Sequence, residues 1–142
     1  MTPGGIKGML DGLRVQVVED NSEDREVLFA ELAYQGATVS ASADAAEALR
    51  ELDQFHPDVL VADIAMPGED GYSLIRKIRA RPFDQGGQTP AIALTGLAGV
   101  TEQQRALYAG FQEHMTKPAD PNKLARAIVH LAANSVARRT AS

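Results

Sequence analysis

Short apolar runs alternate along the chain with stretches in which apolar residues recur every three or four positions. The runs at 13–18, 59–62 and 91–94 read as buried strands. Residues 37–41 are polar on one side and read as an edge strand. Residues 113–116 read as a short fifth strand. The intervening stretches read as helices. One begins near Ser22 and is stopped by Gly36. Asp44 and Glu47 have capping-box spacing ahead of a helix carrying Leu49 and Leu52. Leu74, Ile75 and Ile78 form the apolar face of a third, ending before Pro82. Residues 83–89 form a polar, glycine-containing loop. Thr101 and Gln104 repeat the capping-box spacing before a helix that Gly110 ends. Asp120 caps the last helix, with Pro121 at its first position and Leu124, Ile128 and Leu131 as its stripe.

Five strands alternating with five helices predict a doubly wound α/β fold, a parallel sheet covered on both faces. One domain spans 11–133. The Gly/Pro-rich segment 1–10 reads as a flexible lead-in and 134–142 as a flexible tail, with Arg138 and Arg139 solvated. Ligands of such sheets gather at the carboxyl ends of the strands. The residues just after each strand are therefore the ones to inspect.

Composition narrows the chemistry. The 142 residues are 44% hydrophobic and 23% charged, an ordinary globular mixture. The absence of cysteine excludes disulfides, thiolate catalysis and cysteine metal sites. A net charge of −5 argues against nucleic acid as the partner. No apolar run is long enough for membrane insertion, and the N-terminus lacks signal-peptide character, so a cytoplasmic location is expected.

The strand ends carry a consistent set. Glu19 and Asp20 follow the first strand, Asp63 ends the third, Thr95-Gly96 the fourth and Lys117-Pro118 the fifth. Three clustered carboxylates repel one another and favour a cation, and hard oxygen donors suit Mg²⁺. A metal, an ammonium and a hydroxyl make a receptor for a phosphoryl group. Asp63, alone at the end of the central strand, is the expected nucleophile. Glu19 and Asp20, being adjacent, suit a metal clamp. Taken singly, each piece has a plainer reading as a helix cap, a turn or a loop dipeptide; their fall at successive strand ends carries the inference.

These pieces resemble the response-regulator receiver domains of two-component signalling. The matching segments are VVEDN (17–21), PDVLVADIAMPGEDGYSLI (57–75), ALTG (93–96) and AGFQEHMTKP (109–118). The resemblance implies the CheY-like (flavodoxin-like) strand order 2-1-3-4-5. It implies that Asp63 is phosphorylated and that Glu19, Asp20, Asp63 and the backbone carbonyl of Ala65 hold Mg²⁺. Lys117 would pair with a phosphoryl oxygen, Thr95 would turn its hydroxyl inward, and the Lys117–Pro118 bond would be cis. The donor would be a sensor histidine kinase or histidine phosphotransfer protein. A downstream protein would read the face formed by helix 4, strand 5 and helix 5. Both a stand-alone regulator and a receiver of a hybrid sensor kinase fit.

Some positions depart from the common pattern. His114 stands three residues before Lys117, where many receivers carry Tyr or Phe; it is expected to act as a switch residue with Thr95. Ala65 and Leu97, two residues after Asp63 and Thr95, have no polar group to orient water, so a long-lived phosphoryl-aspartate is expected. Glu69, Asp70, His56 and His130 read as loop, turn or surface residues. The alternative reading is a small Mg²⁺-dependent aspartate-nucleophile phosphatase. That chemistry needs a general acid where Ala65 stands, so no enzyme beyond self-phosphorylation and slow hydrolysis is expected. A nucleotide-binding module is disfavoured by the lack of a phosphate-binding glycine motif.

Overall fold

Successive side chains of an extended strand point to opposite faces, which explains how continuous apolar runs here serve two cores. In the computed structural model, which describes residues 6–64, 70–96 and 99–141 (135–141 by backbone alone), five strands alternate with five helices. They are β1 Arg14–Val18, α1 Ser22–Tyr34, β2 Thr38–Ser42, α2 Ala45–Phe55, β3 Val59–Asp63, α3 Gly71–Arg79, β4 Ala91–Thr95, α4 Val100–Ala109, β5 Glu113–Thr116 and α5 Pro121–Ala141. A 3-10 turn, Phe83–Gln85, lies before β4. The sheet is wholly parallel, in the order β2-β1-β3-β4-β5. This is the CheY-like, flavodoxin-like arrangement.

On one face Val15, Val17, Val61, Ile92, Leu94 and Met115 pack against α1 and α5. On the other, Val18, Leu60, Ala62, Ala91 and Ala93 pack against α2, α3 and α4. β3 and β4 are buried along their whole length. Their last residues, Asp63 and Thr95, are thus held by the stiffest part of the molecule. Truncating a core residue such as Ile92 or Leu94 to alanine costs about 2–5 kcal/mol.

Most element ends follow local chemistry. Asn21, Asp44 and Asp70 accept bonds from the N–H groups of Asp24, Glu47 and Ser73 and cap α1, α2 and α3. Asp120 accepts from the N–H of Lys123 at the start of α5. Four expectations need correction. Asp70, read as a solvated loop residue, is a helix cap. α4 begins at Val100 with Gly99 at the cap position and no side-chain cap, not with Thr101 as its capping residue. Residues 1–5 of the lead-in lie outside the described residues, and at its end Leu10 is fully buried and donates its N–H to the Gln35 carbonyl at 2.8 Å. At the other end α5 runs to Ala141, through residues assigned from composition to a tail. Alanine and arginine are strong helix formers.

Candidate functional site

Glu19 and Asp20 sit immediately beyond β1, and Asp63 is the last residue of β3. Because β1 and β3 are paired neighbours, their carboxyl ends bring the three acids together. One carboxylate oxygen from each lies within 4.8 Å of the others. Glu19 is fully buried and Asp63 is 5% exposed, while Asp20 opens to solvent.

Lys117, beyond β5, closes the group from the side. Its Nζ lies 2.6 Å from Glu19 Oε1 and 3.1 Å from Asp63 Oδ2. Its backbone N–H donates to the Thr95 carbonyl at 2.7 Å, which ties the lysine to the end of β4. The next peptide bond, Lys117–Pro118, is cis, as expected. Thr95 is 4% exposed.

One ammonium cannot neutralise two buried carboxylates. Burial, reinforced by the neighbouring Asp63, pushes Glu19 up to about 8, against the opposing pull of Lys117. Burial works against the charge of Lys117 too. The carboxylates of Glu19 and Asp63 outweigh it and raise the ammonium above its ordinary range. Glu19 Oε2 is buried and has no hydrogen-bond partner. Such an orphaned oxygen is costly unless something satisfies it. A hard divalent cation does so: the donors are oxygens, they are clustered, and one faces open water. The residues present therefore fit Mg²⁺. Ala65, expected to add its carbonyl, lies outside the described residues, as do Glu69 and Leu97.

Gly71, the first residue of α3, packs directly beneath Asp63. A Cβ built on it would lie 2.7 Å from Ile64 Cα and 2.8 Å from the Asp63 carbonyl oxygen. Only a residue without a side chain lets α3 approach the end of β3 so closely.

His114 is on β5, opposite Ala93 of β4. By strand alternation it shares a sheet face with Thr95. Its Nε2 is buried and has no partner. His130 is exposed on α5, and His56 ends α2 in the left-handed conformation, with φ of 53°.

Two contributors escaped the sequence reading. Arg25 Nη1 donates to the carbonyls of Glu19 at 2.9 Å and Asp20 at 3.4 Å, bracing the acid pair from α1. Asp24 Oδ2 lies 3.7 Å from Lys117 Nζ. Both sit one turn into α1, where charge at the first turn is the only signal, and that signal equally fits a solvated helix start. Beside Lys117, Val27, Leu28, Leu94, Pro118 and Ala119 line an apolar groove of about 310 Å³. No helix among the described residues is long and apolar enough to cross a membrane.

Comparison with known proteins agrees with this geometry. The response regulator receiver domain family matches residues 15–129. The 14.6 kDa protein in the sodA1 3′ region of Leptolyngbya boryana is 41% identical over 114 residues, covering 80% of this chain and 86% of that protein. The two-component response regulator PhoP of Pseudomonas aeruginosa is 35% identical over 106 residues. That match covers 75% of this chain and 45% of PhoP, so the chain spans less than half of that relative's length. Among solved structures, the receiver domain of sensor histidine kinase PA1611 from P. aeruginosa PAO1 superposes with a TM-score of 0.77 and 32% identity, over 86% of this chain and 98% of that one. In that structure a magnesium ion is coordinated in the active-site cleft. With strand order, acid cluster and family match all in agreement, the chain belongs to the response regulator receiver domains of two-component signalling.

Proposed function

We propose that this domain takes a phosphoryl group from a phosphohistidine of a sensor kinase or phosphotransfer protein onto Asp63. The observation that carries this reading is Lys117, with its ammonium between Glu19 and Asp63 at 2.6 and 3.1 Å. A cation there meets the phosphoryl oxygens as well as the carboxylate that attacks. An Asp63 oxygen forms the new bond to phosphorus. The phosphorus–nitrogen bond breaks, and the imidazole leaves with its electron pair and takes up a proton. Mg²⁺, held by Glu19, Asp20 and Asp63, would supply neutralisation of the phosphoryl charge. Arg25 keeps the acid pair in place through the Glu19 and Asp20 carbonyls. The groove beside Lys117, with Val27 55% exposed at its edge, gives an apolar partner surface within reach of Asp63.

The product is an acyl phosphate, and the domain acts by self-modification rather than turnover, in the cytoplasm. Thr95 and His114, on one sheet face, are placed to pass the change to α4 and β5. Leu107 and Tyr108 stand exposed on α4, Tyr108 at 95%. They give the α4–β5–α5 face an apolar character that suits a downstream protein.

The test is labelling with acetyl phosphate, with and without Mg²⁺. Up to one base-labile phosphoryl group per chain is expected, dependent on Mg²⁺ and lost in Asp63→Asn. Equal labelling of Asp63→Asn, or sustained turnover of p-nitrophenyl phosphate, would overturn the proposal.

A further inference from the structure

A second cavity lies at the opposite end of the sheet, before β3 and β4 begin. It measures about 350 Å³, at the small end of the range for ligand pockets, about 300–1,000 Å³. Leu52 of α2 is buried beneath it, and Pro57 and Pro90 form apolar walls. Phe83 stands at the rim, 51% exposed. An aromatic ring left half open beside a cavity is a ready stacking surface.

The walls are held in place. Arg79 Nη1 donates to the carbonyls of Gly87 at 3.0 Å and Thr89 at 2.7 Å. The N–H of Gly87 donates to the Pro82 carbonyl at 3.1 Å, and Thr89 Oγ1 to the Gly86 carbonyl at 2.9 Å. The loop at 83–89 is therefore a built wall, and the cavity is present before any ligand arrives.

Charge selects the occupant. Asp53 and Asp84 are both exposed on the lining. Asp53 is paired with Arg81 at 2.5 Å, whereas Asp84 makes no ion pair among the described residues. The last turn of α2, which forms one wall, contains no basic residue. The dipole at that end is already answered, since Arg14 Nε donates to the carbonyl of Phe55, the last residue of α2, at 2.8 Å, which leaves Asp84 as the open anionic group. Apolar walls, an open aromatic ring and an unpaired carboxylate make one consistent set.

The geometry points to a binding site for a small organic cation with a flat or compact apolar body. Its body lies over Leu52 and against Phe83, and its charge faces Asp84. Stacking of a cation on Phe83 adds to the attraction. This site does not depend on phosphorylation of Asp63 and is tested without it.

The experiment is a titration of the ¹⁵N-labelled full chain with benzamidinium, benzyl alcohol or benzoate, read by amide chemical shifts. Benzamidinium is expected to shift His56, Gly86, Gly87 and Thr89 saturably, with a Kd on the order of 1 mM, as for a small fragment. The same amides should respond far more weakly to the alcohol and least to benzoate. Asp84→Asn should weaken benzamidinium binding about three- to fivefold, the size of one screened charge pair. Phe83→Ala should weaken it comparably; both side chains are exposed, so the fold is retained. No saturable shift in this loop, an equal response to benzyl alcohol or benzoate, or binding indifferent to both substitutions would overturn the inference.

Discussion

Lys117 and Glu19 form a short ion pair across the site, 2.6 Å between Nζ and Oε1, yet the same ammonium also serves Asp63 at 3.1 Å. Glu19 is therefore underserved, and burial raises it from 4.5 to about 8. A raised folded-state value means that the folded protein holds this proton more tightly than the unfolded chain does. The contribution to stability is complete below about pH 4.5 and is lost as pH rises to about 8. The metal-free protein should thus melt progressively lower between these limits. Mg²⁺ should raise Tm more at pH 8 than at pH 5. At about a hundredfold excess over Kd, binding stabilises by ~2.7 kcal/mol, or several degrees. Thermal melts in EDTA and in Mg²⁺ check both trends, and Glu19→Gln should flatten the decline.

Gly71→Ala should damage the site without replacing a charged residue. The added Cβ would press on Ile64 Cα and on the Asp63 carbonyl oxygen, both backbone atoms that cannot swing aside. Overpacking of this kind costs about 1–3 kcal/mol. Chemical denaturation should show that loss, and acetyl phosphate labelling of Asp63 should slow. Unchanged stability and labelling would mean that α3 can slide away from β3.

Arg79→Met should be among the more destabilising changes outside the apolar core. Arg79 bonds the carbonyls of Gly110, Gly87 and Thr89 and the side chain of Gln112. Methionine keeps the aliphatic stem and takes the donor from three carbonyls, while Gln112 Oε1 keeps its bond from the Ala91 N–H at 2.7 Å. Bonds to a charged donor contribute about 1.5–3 kcal/mol each, less than additively here because they share one donor group. A loss of about 3 kcal/mol in urea unfolding is expected, with the m-value unchanged.

His114→Ala should separate signalling from chemistry. β4 lies between His114 on β5 and Asp63 at the end of β3, so phosphodonor labelling should be retained. His114 shares its face with Thr95, and its buried Nε2 has no partner. Affinity of the phosphorylated domain for a downstream protein should fall more than the labelling rate does. Equal partner affinity in the two proteins would remove His114 from the switch.

The candidate site was legible because it rests on backbone order. Continuous apolar runs mark β3 and β4, and strict alternation of elements puts every strand's end on one edge. Asp63, Thr95 and Lys117 then follow from position alone. Arg25 and Arg79 were not legible: each acts through a long side chain that reaches carbonyls on another turn or another loop, and carbonyls leave no mark on sequence. Leu10 was hidden by the glycines around it, since its burial depends on Gln35, far along the chain. The start of α4 was misplaced for a related reason. Thr101 has the right neighbours for a cap, but the chain turns earlier, at Gly99, where φ is 133°.

That difference between the two ends of α4 has a mechanical meaning. At its C-terminus, Gly110 is held by Arg79 Nε at 2.9 Å and fits so tightly that a Cβ would lie 2.9 Å from Arg79 Cγ. At its N-terminus, Gly99 has no side-chain cap, and among the described residues no atom lies within 4 Å of where a Cβ would be. One end is clamped and the other has clearance. On the proposed reading, a displacement of Thr95 is expected to swing α4 about Gly110, so that small backbone movements at the end of β4 become rotation of the outward-facing surface that carries Leu107 and Tyr108.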